Sequence, residues 1–487
     1  MNTLSKQAGL LSLADFTRFF IKTLIGIALA RLLTPADLGS YRQLFLIYST
    51  LSGILMLGFP QSMLYFLPKA GTRQEIKAVI SRTLNVISIL ALICAVIIFF
   101  SRHFIAHIFN NPGLSRLLII YSIYPIFIFI TQLYNSVILG LKETVKSAHF
   151  IIFSVICDLV FVLGVALVTR DINLIVWAVV ISAFVQWLWA SLQLRKYQGS
   201  FGKGAFQGLR DQLNYTFPLG LSLLVGVISV QMDKIMISSF FTPEQFAVFS
   251  LGAMELPLIG ILINSVNAIL LPNMTGKHPD KMAMIYSASV RKNAIIIFPL
   301  ATVFFIFATE FIVFLYGNIY AEAAIYFRIY LLILPLRVAT YGLVIQAMGK
   351  TRLGMINSVI MLITNIILNF ILIKIYGMQG AAIATVIASW LIAMVYLYQL
   401  RMLLDFKLLK LFPLWSLIKN LLAAIIPAIA VALLAVHIPN SFWRMILGGT
   451  SYMLLYFAIA YCFKVILPYD LHLALDFAQD FLKRLKK

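Results

Sequence analysis

Charged side chains make up only 11% of the 487 residues, acidic ones number 17 and cysteines 3. A soluble globule carries about a quarter charged residues and roughly half apolar ones. With 62% hydrophobic residues and a mean hydropathy of +0.98, this chain cannot cover itself with a water-facing surface. Cys94, Cys157 and Cys462 lie in apolar runs without paired spacing, which excludes a disulfide framework and a thiolate metal site. His103 and His107 have ligand spacing, but HFIAH lacks the glutamate of HEXXH, so no metal is expected. The glycines of GSFGKG at residues 199–204 lack the GK[ST] ending of a P-loop. No nucleotide or other cofactor is implied, and no stretch between apolar runs is long enough for a catalytic domain outside the membrane.

What the chain has in quantity is apolar runs of about twenty residues, too long for membrane strands of about ten and right for spanning helices. They fall at residues 10–32, 41–67, 83–101, 117–139, 149–168, 173–194 and 216–240, then at 246–271, 294–316, 326–348, 354–376, 379–400, 421–437 and 444–467. The reading is an all-α polytopic membrane protein of about 14 transmembrane helices. Ala-Leu-Ala before Arg31 resembles a signal cleavage site, yet Asp15, Arg18 and Lys22 interrupt the preceding run, so the first helix is expected to stay.

A net charge of +21 raises the question of nucleic acid. Placed against the spans, 25 of the 38 basic residues fall in alternate loops on one side, whereas TPADLGS, FTPEQ and GNIYAEAA on the other hold almost none. The positive-inside rule then puts both termini in the cytoplasm, and no nucleic acid is needed. Residues 468–487 form a different kind of segment, with Leu471, Leu475, Leu482 and Leu485 at helical spacing, and read as an amphipathic tail on the inner membrane face.

An internal repeat organises the rest. TPADLGSY at residues 34–41 returns as TPEQFAVF at 242–249, an offset of 208, and Tyr121, Pro125 and Gly140 are echoed by Tyr330, Pro335 and Gly349. Each half holds six spans, an even number that keeps both halves in one orientation, so the repeat is parallel about an axis normal to the membrane. The expected organisation is a six-helix lobe at 1–196, a cytoplasmic linker at 197–212, a second lobe at 213–402, two additional helices at 403–467 and the tail at 468–487. Two lobes facing each other would leave a central cleft.

At LLTPADLGSY, at the mid-span Asp-Lys of FPLGLSLLVGVISVQMDKIMI, at AVFSLGAMELP and at IFNNP, the sequence resembles the polysaccharide, or lipid-linked oligosaccharide, flippase family. That family belongs to the multidrug/oligosaccharidyl-lipid/polysaccharide exporter superfamily. The resemblance, strongest to the O-antigen flippase type, covers essentially the whole chain. It implies a V-shaped pair of six-helix bundles that moves lipid-linked saccharides outward across the inner membrane by alternating access. Polysaccharide polymerase and glycosyltransferases are then the expected partners, beside the lipid-linked saccharide and membrane lipids. A cation-coupled multidrug exporter of the same superfamily is the alternative, and a membrane glycosyltransferase or polymerase a more distant one.

Asp15, Arg18 and Lys22 share one helical face within the first span, and an intramembrane charged stripe should face protein or water. With Lys234 and Arg337 they supply cations for an anionic head group, Arg337 through the paired hydrogen bonds a guanidinium offers a diphosphate. Asp15, Asp158, Asp233 and Glu255 are candidates for coupling a proton or sodium, or for structural ion pairs. Gln132, Asn135, Asn365 and Asn369 suit sugar hydroxyls, or serve as bonds between helices. Ser222, Gly226, Ser229 and Asp233 form a polar or small stripe on the seventh span. Acidic and basic candidates balance, so a purely cationic substrate would gain little.

Overall fold

A computed structural model describes residues 3–197, 206–404 and 412–466. The expected tail at 468–487 and part of the expected linker lie outside the described residues. Described residues form helices and turns, with no strand among them. They gather into two compact units, Met1–Ser250 and Leu251–Lys487.

In the first unit come α1 (Thr3–Leu32), α2 (Pro35–Met56), α3 (Phe59–Phe66), α4 (Arg73–Ile108), α5 (Leu114–Tyr121), α6 (Tyr124–Gly140) and α7 (Thr144–Cys157). A π-helical turn, Asp158–Leu163, continues α7 into α8 (Gly164–Thr169), followed by α9 (Ile172–Leu194), α10 (Leu209–Phe240) and α11 (Pro243–Gly252). The repeated Thr-Pro motif has a local cause. Thr34 caps α2, its Oγ1 accepting from the Asp37 amide at 3.2 Å, with Pro35 in the first turn where no amide proton is needed. Thr242 and Gln245 do the same for α11 reciprocally: the Gln245 amide donates to Thr242 Oγ1 at 3.4 Å and the Thr242 amide to Gln245 Oε1 at 3.1 Å.

The two motifs also meet. A Cβ on Gly39 would collide with the Pro243 carbonyl oxygen, so only glycine lets the starts of α2 and α11 approach this closely. One turn on, Arg42 donates to the carbonyl and hydroxyl of Ser250, its own repeat equivalent 208 residues later, at 2.8 and 3.1 Å.

Two spans of this unit are broken. Between α2 and α3 the chain bends 46° through Leu57 and Gly58, both at positive φ, and between α5 and α6 it bends 49°. Elsewhere small residues set the packing: Ala14 of α1 is buried against Ala148 and Ile151 of α7, which fixes which face of α1 turns inward.

The second unit contains α12 (Pro257–Met274), α13 (Pro279–Ile306), α14 (Ala308–Tyr316), α15 (Ala323–Leu331), α16 (Tyr341–Ala347), α17 (Thr351–Tyr376) and α18 (Met378–Leu404). The last two helices, Leu414–Ala435 and Ser441–Cys462, dock on α13 through Tyr456, whose hydroxyl donates to the Ile295 carbonyl at 2.9 Å and lies 3.0 Å from Asn420 Oδ1. The tenth span runs on without a bend like that of the fourth, but a 3-10 turn, Leu334–Val338, and the non-helical Ala339 and Thr340 interrupt it between α15 and α16.

Among the described residues ten helices are long and apolar enough to cross a membrane, or twelve if each bent pair counts as one span. Length and composition thus do not return all fourteen expected spans. The physical reasons are local. Helix α1 carries Asp15, Arg18, Lys22 and Arg31, too many charges for a plain apolar span, and the expected span at 246–271 is divided between α11, which ends at Gly252, and α12, which begins at Pro257. Large apolar side chains such as Leu13, Phe100, Phe104 and Val168 stand exposed over the helix surfaces, as a multi-pass membrane protein requires of its lipid face.

Candidate functional site

The charged face of α1 is where the first unit becomes polar inside. Arg18 Nη2 lies 2.6 Å from Asp15 Oδ1, one turn apart, and both side chains stay partly open. Lys22 reaches across to α7, its Nζ 3.5 Å from Asp158 Oδ2. Asp158 opens the π-helical turn, and π turns inside α-helices recur at functional sites. From α9, Ser182 Oγ donates to Asp158 Oδ1 at 2.7 Å and Gln186 Nε2 at 3.0 Å. Three partners therefore hold one membrane-depth carboxylate, which keeps the cost of placing it there low.

These side chains line three neighbouring cavities that share wall residues. A cavity of about 650 Å³ is bounded by Arg18, Lys22, Gln132, Asn135, Ser154 and Gln186 among others. Lys22 and Gln186 also border a second cavity of about 220 Å³, together with Asp158, Tyr41 and Tyr124. Tyr41 and Phe45 connect that to a third of about 410 Å³, which Arg42, Lys234, Gln231 and Ser49 enclose. The walls between are aromatic: Tyr121 stacks on Tyr124 with centroids 4.9 Å apart, and Tyr48 meets Tyr124 edge-on at the same distance. Gln132 Nε2 donates to Tyr48 Oη at 2.6 Å, and Asn135 Oδ1 accepts from Ser147 Oγ at 2.6 Å.

Arg18, Lys22, Arg42 and Lys234 thus line this chamber against a single lining carboxylate, Asp158. Since a guanidinium or ammonium at membrane depth needs an anion or water, the chamber is suited to an anionic guest. Asp233 does not line these three cavities. It is buried, and its carboxylate accepts from the Lys234 amide at 2.8 Å.

The second unit holds the remaining candidates. Glu255 stands where the eighth span is interrupted and Arg337 where the tenth is, and they join fork to fork, Nε to Oε2 at 3.1 Å and Nη2 to Oε1 at 2.5 Å. Asn293 Nδ2 donates to the Val338 carbonyl at 3.1 Å, answering one acceptor that the broken helix frees. Asn365 Nδ2 donates to Thr385 Oγ1 at 3.1 Å across α17 and α18, and Asn369 Nδ2 donates to Asn365 Oδ1 at 3.0 Å within α17. Among the described residues no cluster of His, Cys, Asp or Glu fits a metal ion.

Sequence reasoning missed Arg42, Tyr48, Ser182 and Gln186. The signal for Arg42 was its place about two turns into the helix capped by Thr34; for Ser182 and Gln186 it was two polar residues four apart in an otherwise apolar run.

The sequence pattern of the family described as polysaccharide biosynthesis protein matches residues 28–325. Capsular polysaccharide biosynthesis protein CapF of Staphylococcus aureus is 24% identical over 408 residues, 81% of this chain and 98% of that one. Among solved structures, the lipid II flippase MurJ in an inward closed conformation is similar at TM-score 0.78 and 19% identity, over 93% of this chain and 98% of that one. An inward-facing multidrug resistance MATE family transporter follows at TM-score 0.65 and 15% identity, over 80% and 94%. The two solved structures are those of a flippase and a transporter, and this chain shares their polytopic helical fold.

Proposed function

Because the chain belongs to the polysaccharide biosynthesis protein family, we propose that it flips a polyprenyl-diphosphate-linked sugar repeat outward across the cytoplasmic membrane by alternating access, for surface polysaccharide synthesis. The observation that carries this is the chamber of the first unit, in which Arg18, Lys22, Arg42 and Lys234 outnumber Asp158 at membrane depth. A diphosphate leaving water needs such cations, and each charge-assisted hydrogen bond contributes about 1.5–3 kcal/mol. Gln132 and Asn135 stand in the same cavity to meet sugar hydroxyls, and the second unit offers a cation of its own, Arg337, when Glu255 releases it. The moving parts in this reading are the six-helix repeats at 1–196 and 213–402, joined by the linker at 197–212. Residues 403–467 add two helices and 468–487 an inner-face tail, the segments nearest to polymerase and glycosyltransferase partners. The decisive experiment reconstitutes the purified protein in vesicles with a fluorescent lipid-linked saccharide and no nucleotide. Outward movement above that of empty vesicles is expected, and none would refute the reading.

Orientation follows from the loop charges, with both termini in the cytoplasm of a cell with an inner membrane. In a background whose three cysteines are replaced, a cysteine at exposed Glu244 should be labelled by an impermeant maleimide in intact cells and one at exposed Lys277 should not. The opposite pattern inverts the topology.

Asp158 supports a second reading, a cation-coupled exporter, since protonating or metallating a carboxylate held by Lys22, Ser182 and Gln186 would free the lysine. Proton-driven efflux of a cationic dye by the reconstituted protein, with no movement of the lipid-linked saccharide, would select it.

A further inference from the structure

The second unit encloses a cavity of about 250 Å³ at the break in the tenth span, where Ala339 and Thr340 leave helical geometry between the 3-10 turn and α16. Arg337, Thr340, Tyr341, Gly342, Ser389 and Tyr396 border it. Interrupted segments at corresponding positions of two repeats point to a transporter's binding site, and here the fourth and tenth spans are both interrupted. In the first unit that break borders the cationic chamber through Tyr124. In the second unit it borders this cavity.

Its chemistry differs from that of the chamber. Tyr341 and Tyr396 lie nearly parallel, 23° between planes and 6.2 Å between centroids, and Phe412 stacks on Tyr341 at 6.2 Å as well. Hydroxyls of Thr340, Tyr341, Ser389 and Tyr396 come from the bordering residues. Ser389 Oγ already donates to the Thr385 carbonyl at 2.7 Å, so it presents acceptor lone pairs to a guest. Arg337, the one charged neighbour among the bordering residues, is bidentate with Glu255, so the pair adds no net charge. Seven apolar residues also border the cavity, Ile263, Met361 and Ile392 among them, but a lipid tail here would leave the Thr340 and Tyr341 hydroxyls facing hydrocarbon. While Glu255 holds Arg337, a bare diphosphate has no cation to meet here. A pyranose ring meets both demands: its axial C–H face carries slight positive charge and packs on the electron-rich face of an aromatic ring, while its hydroxyls both donate and accept around the rim. The volume is that of about eight waters, the scale of one ring and its hydration. Room remains at the centre, because a Cβ on Gly342 would meet only Tyr396 Oη, at 3.9 Å.

We propose that this cavity is a saccharide subsite, in which a sugar ring of the lipid-linked substrate packs against Tyr341 and Tyr396 and hydrogen-bonds Thr340 and Ser389. It rests on the flippase reading and deepens it: beside the cations and amides of the first unit, the second unit supplies aromatic faces for a sugar ring. Asn365 and Asn369, the amides that sequence alone offered for sugar on α17, are bonded to Thr385 and to each other.

The test uses the full chain in lipid nanodiscs and two probes, polyprenyl diphosphate without sugar and the same lipid bearing a hexose or an N-acetylhexosamine. Wild-type protein should bind a sugar-bearing lipid at least tenfold more tightly than the bare one. Gly342→Leu, which fills the space, and Tyr396→Leu, which removes a ring, should each erase that preference while binding bare lipid as before, and Tyr396→Phe should keep most of it. Retained binding of bare lipid reports that each variant is folded, and two independent substitutions guard against one failing to fold. Equal loss for both lipids, a preference that survives both substitutions, or a wild-type protein indifferent to the sugar overturns the subsite and leaves the flippase reading standing. A wild-type protein that binds neither lipid overturns the flippase reading and the subsite with it.

Discussion

Replacing Arg18 and Lys22 together by glutamine should abolish surface polysaccharide, with export falling at least a hundredfold while the protein persists in the membrane. Both side chains border the 650 Å³ cavity, and Lys22 borders the adjoining one as well. Two charge-assisted contacts to a diphosphate supply about 3–6 kcal/mol together, and each 1.4 kcal/mol is a factor of ten. Single substitutions should be milder, near tenfold, because the residues share one guest and their effects do not add. What each leaves behind is tolerable: Asp15 is close to half open at 46% side-chain exposure, and Asp158 keeps Ser182 and Gln186. Lys22→Arg should remain active. Normal export by the double glutamine variant would move anion binding elsewhere. Quantifying cell-surface polysaccharide against membrane protein level is sufficient to decide.

The second large effect concerns Arg337. If it takes the diphosphate when Glu255 lets go, Arg337→Lys keeps the charge and loses the planar fork, so transport should fall about tenfold, and Arg337→Ala should fall further. Without nucleotide the drive is electrical. An inside-negative potential favours outward movement of net negative charge by about 2.3 kcal/mol per charge per 100 mV, roughly a fortyfold bias, provided that protein cations do not travel with it. Vesicles with an imposed potential should therefore flip the lipid faster as the potential rises, and Arg337→Ala should flatten that response. Should Arg337→Ala flip at the wild-type rate while Glu255→Gln does not, the arginine is only a structural partner and coupling belongs to the carboxylate.

Much of this fold was legible because its causes are local. Run length marked the helices, and the recurrence of Thr-Pro located two capped helix starts whose hydrogen bonds are made within four residues. The Asp15–Arg18 pair was readable for the same reason, both residues lying on one turn. Pairings between helices were not. Lys22 with Asp158 and Arg42 with Ser250 depend on how far each helix is rotated about its axis, which is set by contacts such as Ala14 on Ala148 and by Gly39 beneath Pro243. Hydropathy is blind to that rotation. Arg337 with Glu255 was one of several partners that sequence allowed, and only the coincidence of two interrupted spans singles it out. Sugar-contact candidates on α17 were chosen by residue type, and residue type does not say whether an amide is already engaged.

The π-helical turn at Asp158–Leu163 carries a consequence for reading related sequences. A π turn is in effect a one-residue insertion accommodated without breaking the helix, and one residue turns an α-helix by about 100°. A helical wheel drawn straight through residues 149–168 therefore assigns Gly164 and everything after it to the wrong face relative to Ser154. A relative one residue shorter in this stretch would rewind to plain α geometry, keep its acid on the face set by the preceding helix and swing everything after the turn by about a quarter-turn. Gap placement at this one position, more than percentage identity along the span, then decides which later residues of the span share a face with the Lys22–Asp158 link.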